Sequence, residues 1–121
     1  MKTSLLLLCC SLFICCNLKK TFEEAQSINS DLAAFFHTDH IDTSVAWGPT
    51  PKDNKITITF SRFDVDSRSH SELDSIGILV RQRILDHHPD MKKLDHITVQ
   101  FSKEAKNDNI KDYVIFNYKT K

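Results

Sequence analysis

The sequence has few of the residues that build turns and cross-links. Only two glycines and three prolines occur in 121 residues, which excludes a glycine-rich phosphate-binding loop and a collagen-like repeat. No cysteine follows Cys16, so no internal disulfide can cross-link the rest of the chain. Lysine plus arginine and aspartate plus glutamate each number sixteen, which argues against a strongly basic nucleic-acid-binding protein. The remaining composition, 40% hydrophobic and 26% charged, is that of one small globular domain.

The sequence also contains no hydrophobic run long enough to cross a bilayer. Its longest apolar stretch, from Leu5 to Cys16, is broken only by Ser11. As a helix this stretch spans about 18 Å, against a hydrocarbon core of about 30 Å. Lys2 precedes it and the polar Asn17 ends it. This arrangement is typical of a secretory signal peptide, so we expect an exported protein.

The cysteines refine this expectation, because all of them lie in the apolar segment: Cys9, Cys10, Cys15 and Cys16. The segment resembles a bacterial lipoprotein signal peptide, in which a lipobox ends in the acylated cysteine that becomes the first mature residue. Phe13-Ile14-Cys15-Cys16 matches with a small residue before the cleavage site, although Phe13 replaces the preferred leucine. Leu12-Phe13-Ile14-Cys15 has that leucine but places the bulky Ile14 next to the cut.

The resemblance implies a signal peptide over residues 1–15, a lipid on Cys16 (with Cys15 as the alternative) and a short tether over residues 16–20. Acyl chains would hold the protein on a bacterial membrane, facing the periplasm or the cell surface. An unanchored secreted protein is one alternative, and a retained anchor with palmitoylated cysteines is another.

Residues 21–121 are expected to form one α+β domain. Two capping boxes, Thr21–Glu24 and Ser69–Glu72, begin apolar patterns of helical period, and Pro89 ends the second. The patterns predict helices at about 21–37 and 70–88, and strands at 40–47, 55–64, 94–102 and 112–119. The order α-β-β-α-β-β predicts two hairpins in an antiparallel sheet, with both helices on one face. Gly77, inside the second helix, is expected to allow close packing against the sheet.

Two further expectations concern the strands and their relation to each other. The first strand is expected at an edge, whereas the last, apolar on both sides, suits a central strand or one covered on both faces. The two α-β-β halves suggest a duplication, but they share no similarity at the level of residues.

The sequence predicts no catalytic residue and no cofactor. His37, His40, His87 and His88 are weak candidates for metal ligands, but histidines at helix C-termini also interact favourably with the helix dipole. The acidic segment 64–69 fails the pattern of an EF-hand calcium loop. No serine lies in a Gly-x-Ser-x-Gly motif. The sequence therefore favours a non-catalytic binding or structural role in the cell envelope, and a small secreted or anchored metal-dependent enzyme using the histidines is the alternative.

The most interesting candidate surface is a polar face of the predicted sheet. Its proposed members are Thr57, Thr59, Ser61, Thr98, Gln100 and Ser102. Antiparallel sheets covered on one side commonly expose such a face, so it is either ordinary solvated surface or a docking face for an envelope protein or a glycan. Trp47, Phe63 and Tyr118 are candidate aromatic anchors. RNA-binding sheets need stacked aromatics and basic surroundings, so we expect no nucleic-acid partner.

Overall fold

The fold is seen in a computed structural model, which describes residues 20–105 and 112–121. The predicted signal peptide and both candidate lipidation sites, Cys15 and Cys16, lie outside these residues. None of the helices in the described ranges has the length and apolar character needed to span a bilayer.

Two helices and four strands make up the domain. Helix α1 covers residues 20–36 and helix α2 covers His70–His87. The strands are β1 (Ile41–Ala46), β2 (Lys55–Phe60), β3 (His96–Phe101) and β4 (Val114–Lys119), with short 3₁₀ turns at Pro51–Asp53 and Pro89–Lys93. The predicted order α-β-β-α-β-β and the α+β class are confirmed.

The boundaries follow local chemistry, and β3 and β4 each begin two residues later than predicted. Two further departures concern α1 and β2. Ser69 caps α2 by accepting a hydrogen bond from the Glu72 backbone N–H at 3.1 Å. Residue 20 is already helical, so Thr21 lies inside α1 and is not its N-cap. Strand β2 ends at Phe60, not near residue 64, because Arg62 adopts a positive φ of 49° that breaks the extended chain.

The sheet is mixed, which corrects the prediction of a wholly antiparallel one. Its strand order is β1-β2-β3-β4, and the outer pairs β1–β2 and β3–β4 are the predicted antiparallel hairpins. The central pair β2–β3 is parallel, with Ile56 opposite Ile97. Between these strands a single helix returns the chain to the end where β2 began, so β3 must run in the same direction.

Both helices pack on the same face of the sheet, as predicted. Alternate residues of the central strands point to this face and are almost completely buried: Ile56, Ile58, Phe60, Ile97, Val99 and Phe101. Phe36 of α1 packs edge-on against Phe60 with the ring centroids 5.3 Å apart. Ile28 and Leu32 of α1 and Val80 and Ile84 of α2 complete the core from the helix side.

Gly77 provides the expected close approach between α2 and the sheet. A Cβ atom at this position would lie 2.2 Å from the Tyr118 hydroxyl of β4. That hydroxyl donates a 2.7 Å hydrogen bond to the Asp74 carboxylate. Burial, with the bond to Asp74, raises the pKa of Tyr118. The contact attaches β4 to α2 along one edge of the sheet, so the prediction that β4 is a central or doubly covered strand was wrong.

Candidate functional site

The candidate site is the face of the sheet opposite the helices, which we call the open face. Strand register arranges its side chains in rows that cross all four strands. The rows are Asp42–Thr59–Gln100–Ile115, Ser44–Thr57–Thr98–Asn117 and Ala46–Lys55–His96–Lys119. The row from Ser44 to Asn117 consists of hydroxyl and amide side chains, the row from Asp42 to Ile115 has two of them at its centre, and the third row carries the positive charges.

The centre of the open face is a connected polar surface. Thr98 donates a 2.7 Å hydrogen bond to the Asn117 side-chain oxygen, although only 5% of the threonine is exposed. The Gln100 amide donates a 2.8 Å bond to the Thr59 hydroxyl. These bonds link β3 to both neighbouring strands and hold the side chains in place. The Asn117 NH₂ group and the Gln100 carbonyl oxygen retain capacity to bind a partner.

Four of the six predicted docking residues lie on this face. Thr57, Thr59 and Gln100 are partly exposed there, while Thr98 is on the face but buried.

The prediction is corrected for the other two docking residues, Ser61 and Ser102. Each follows the last residue of a strand. The Ser61 hydroxyl donates to the His40 carbonyl oxygen at 3.4 Å. Ser102 is 1% exposed, and its hydroxyl accepts a hydrogen bond from the Glu104 backbone N–H at 3.1 Å. Both hydroxyls therefore form hydrogen bonds within the protein, in the loops that follow the strands.

Two of the three predicted aromatic anchors also face away from the site. The ring of Phe63 packs on Phe60 and Phe101, with centroids 5.6 and 5.1 Å away, and belongs to the core. Tyr118 points towards α2. Trp47 follows β1 at the end of the sheet; it is 48% exposed and has the Lys93 Nζ atom 5.7 Å from its ring centroid.

Sequence reasoning missed the contribution of β4 and of the segment before β3. Asn117 and Lys119 alternate with Phe116 and Tyr118, a period-two signal that the apolar character of the segment concealed. The Asp95 carboxylate lies 3.2 Å from the Nζ atom of Lys119 and 3.1 Å from the Nδ1 atom of His96. Hydrogen bonds from His96 and then from Lys119 lower the pKa of Asp95, so this carboxylate stays charged at neutral pH.

The predicted metal candidates occupy different structural contexts. His37 directly follows α1 and has a φ of 54°, and His40 lies 3.5 Å from the carboxylate of its neighbour Asp39. His87 is exposed in the last turn of α2, and His88 caps that helix. In residues 20–105 and 112–121, no three His, Cys, Asp or Glu side chains are grouped so that they could hold a metal ion.

His88 instead takes part in a contact between the helices. Its Nε2 atom is buried without a hydrogen-bond partner, 3.6 Å from the Asp31 carboxylate of α1. Arg83 of α2 donates to the same carboxylate at 2.8 Å, and this bond lowers the pKa of Asp31. The Arg83 guanidinium also stacks 4.5 Å from the ring centroid of Phe35. These residues join α1 to α2.

Comparison with known proteins adds no information on this site. No protein-family model, curated protein or solved structure matches the chain. The chemistry of the open face therefore rests on its own geometry: fixed hydroxyl and amide groups at the centre, a charged row at one end, and Trp47 beside that row.

Proposed function

We propose that the chain is an exported, lipid-anchored envelope protein whose domain binds a partner through the open face. The N-terminal segment supports export and anchoring, because a short basic start, an apolar run and a terminal pair of cysteines have the layout of a lipoprotein signal. The acyl chains supply the attachment. Each buried CH₂ group contributes about 0.8 kcal/mol, and two or more chains give durable anchoring.

The observation that carries the binding role is the pre-ordered polar surface of the open face. Thr98–Asn117 and Gln100–Thr59 are fixed by mutual hydrogen bonds, so a partner need not immobilise them on binding. The surface offers both donors and acceptors, which suits an envelope protein segment or a glycan. Hydroxyls and amides at neutral pH recognise such groups without exchanging protons, and this favours binding over catalysis.

Anchoring is tested by labelling the full chain in a bacterial host with an alkyne analogue of palmitate. We expect the wild-type chain and Cys15→Ser to carry the label in the membrane fraction, and Cys16→Ser to lose it. Intact mass of the purified chain gives the cleavage site. Loss of label in Cys15→Ser alone would move the lipid to Cys15, and an unlabelled soluble chain beginning beyond Cys16 would refute anchoring.

The binding surface is tested by site-specific photo-crosslinking in intact cells. A photoreactive residue replaces Thr57 on the open face or, as the matched control, the exposed Gln82 on the outer side of α2. We expect crosslinked products from position 57 and few from position 82, and digestion with protease or glycosidase identifies the partner class. Equal products at both positions would contradict the assignment of the open face.

A further inference from the structure

The net charge of zero conceals a separation of charge between the two ends of the sheet. The segments at the Trp47 end, residues 47–55, 88–96 and 119–121, contain six lysines and three aspartates. The described segments at the opposite end, residues 37–40, 61–69, 102–105 and 112–113, contain five carboxylates and three basic residues. Among the described residues, positive charge is therefore concentrated at the Trp47 end of the strands.

Four of these lysines lie close together beside Trp47. We call this cluster the basic end; its members are Trp47, Lys52, Lys93, Lys119 and Lys121. Lys52 and Lys119 line one shallow depression. Lys93, Lys119 and Lys121 line a second one beside it. Among the described residues, Lys119 is the member of the cluster that pairs with a carboxylate, that of Asp95.

Trp47 adds an amphipathic ring to these charges. It is half exposed, at 48%, with the Lys93 ammonium 5.7 Å from the ring centroid. Trp is enriched where proteins meet the headgroup region of membranes, because the indole has an apolar body and a polar N–H. Clustered lysines beside it are attracted to anionic headgroups.

The direction of α1 places the start of the domain at the same end. Phe36 packs on Phe60, which pairs with Ile41 at the beginning of β1. Seven residues earlier, Asn29 accepts a 3.0 Å hydrogen bond from Thr43, two positions further along β1. Helix α1 thus runs back along β1. From Asn29 to residue 20 it covers about 13 Å, close to the distance from Thr43 to Trp47 along the strand.

The covalent chain then limits how far the domain can stand from its anchor. Three residues separate Cys16 from Lys20, so their Cα atoms are at most about 14 Å apart. If Cys16 carries the lipid, the first turn of α1 is held next to the bilayer. The basic end, at the same end of the molecule, is held there with it.

We infer that the basic end is a docking surface for anionic phospholipid headgroups, which orients the anchored domain with Trp47 at the membrane interface. This inference deepens the proposed function, since the orientation follows from acylation at Cys16. The partner is identified by charge complementarity, by the length of the tether and by the exposed indole beside Lys93. The opposite end of the sheet then faces away from the membrane.

Trp47 is the only tryptophan of the chain, so its fluorescence reports this end alone. The acylated product purified after expression of the full chain is reconstituted into vesicles of phosphatidylcholine, or of phosphatidylcholine with 30% phosphatidylglycerol. Both kinds of vesicle contain lipid brominated near the top of the acyl chain. We expect quenching of Trp47 at least about twofold stronger in the anionic vesicles, decreasing towards the neutral value as salt is raised. Equal quenching in both vesicles would overturn the inference.

The matched variants change three exposed basic residues at one end or the other. K52Q/K93Q/K121Q removes charge at the basic end, whereas R62Q/R68Q/K103Q removes the same charge at the opposite end. We expect the first variant to lose the difference between the two vesicles and the second to keep it, with unchanged circular dichroism in both. If both folded variants kept the same difference in Trp47 quenching between the two vesicles, the lysines of the basic end would not be binding lipid.

Failure of anchoring is distinguished by intact mass measured on the same sample. A chain without an acyl group refutes the proposed function. The inference is then tested on that chain by measuring Trp47 quenching at low salt. Quenching by anionic vesicles alone would then show that the basic end recognises lipid unaided. No quenching by either vesicle would reject the inference as well. An acylated chain without preferential quenching rejects only the inference.

Discussion

The two faces of the sheet use the same strands but stabilise the domain in different ways. On the covered face, Phe60 and Phe101 stack 5.1 Å apart and are sealed by the helices. On the open face no described helix packs, yet Thr98 is nearly as buried as the phenylalanines, at 5% exposure. Its neighbours in the sheet exclude water, and its hydroxyl is satisfied by Asn117. An uncovered face is thus not equivalent to a solvated one: its centre needs hydrogen-bond partners, whereas its margins do not.

The largest effect is expected from the covered face. Phe101→Ala removes a ring that contacts Phe60, Phe63 and Phe116, and should lower the free energy of unfolding by about 3–5 kcal/mol through lost burial and a cavity. Urea denaturation measures this change. Ile115→Ala on the open face, where the side chain is 51% exposed, serves as the comparison and should cost less than about 1 kcal/mol. Similar costs would remove the distinction between the faces.

The next effect tests the contact that attaches the edge strand β4 to α2. Gly77→Ala introduces a Cβ atom 2.2 Å from the Tyr118 hydroxyl, so the edge must shift. We expect a loss of about 1–3 kcal/mol, even though alanine is intrinsically the better helix former. Thermal unfolding measures it. In a Tyr118→Phe background the hydroxyl is gone and the cost of Gly77→Ala should shrink; an undiminished cost would place the strain elsewhere.

A smaller effect separates the centre of the open face from its margin. Thr98→Val keeps the shape of the side chain but leaves the Asn117 side-chain oxygen without its donor, and should cost about 1 kcal/mol. Thr57→Val, in the same row but partly exposed, should change stability by less than about 0.5 kcal/mol. Chemical denaturation of both variants at neutral pH makes the comparison. Equal costs would mean that burial does not distinguish them.

The smallest expected effect is a dependence of stability on pH. The contact between the helices, Asp31–Arg83, is charged, whereas the Thr98–Asn117 contact on the open face is neutral. The Arg83 hydrogen bond holds the pKa of Asp31 below its ordinary value of 3.8. A carboxyl with a lowered folded-state pKa stabilises above its unfolded pKa, and this contribution disappears as pH falls through the folded pKa.

Asp31→Asn should therefore be less stable than wild type at pH 6, and the difference should vanish as acid protonates the carboxyl. The destabilisation by Thr98→Val should stay constant over the same range. Denaturation curves for the three proteins between pH 6 and pH 2 give the result. A difference for Asp31→Asn that persists in acid would show that the carboxylate charge contributes nothing.

The elements of this fold were predictable because their signals are local. Period-two alternation located β2 and β3, and Ser69 with Pro89 located α2 to within a residue. The parallel pairing of β2 with β3 was missed because direction depends on where α2 returns the chain. The edge position of β4 was missed because its segment is apolar on both sides, and the sequence does not show that Tyr118 packs on α2, where its hydroxyl is bound to Asp74.

The candidate site was only partly predictable for a related reason. The alternating polar residues Thr57, Thr59 and Gln100 were recognised, because alternation continues along a regular strand. Alternation is informative only within a strand, so Ser61 and Ser102 were assigned to the docking face although both follow a strand and their hydroxyls are bound to backbone groups of neighbouring loops. The clustering of Trp47 with distant lysines depends on two loops and the segment after β4 meeting at one end of the sheet, and no local sequence pattern encodes that.

The parallel junction between β2 and β3 has a consequence for the time course of folding. Residues paired across either hairpin are at most 23 positions apart, whereas Ile56 pairs with Ile97, 41 positions later. The hairpins close short loops, but the central junction closes only after α2 has formed and docked, at a larger entropic cost. Until this junction forms, the apolar inner strands β2 and β3 lack one of their two partners. We therefore expect the slowest step of folding to be the joining of the two halves at the middle of the sheet.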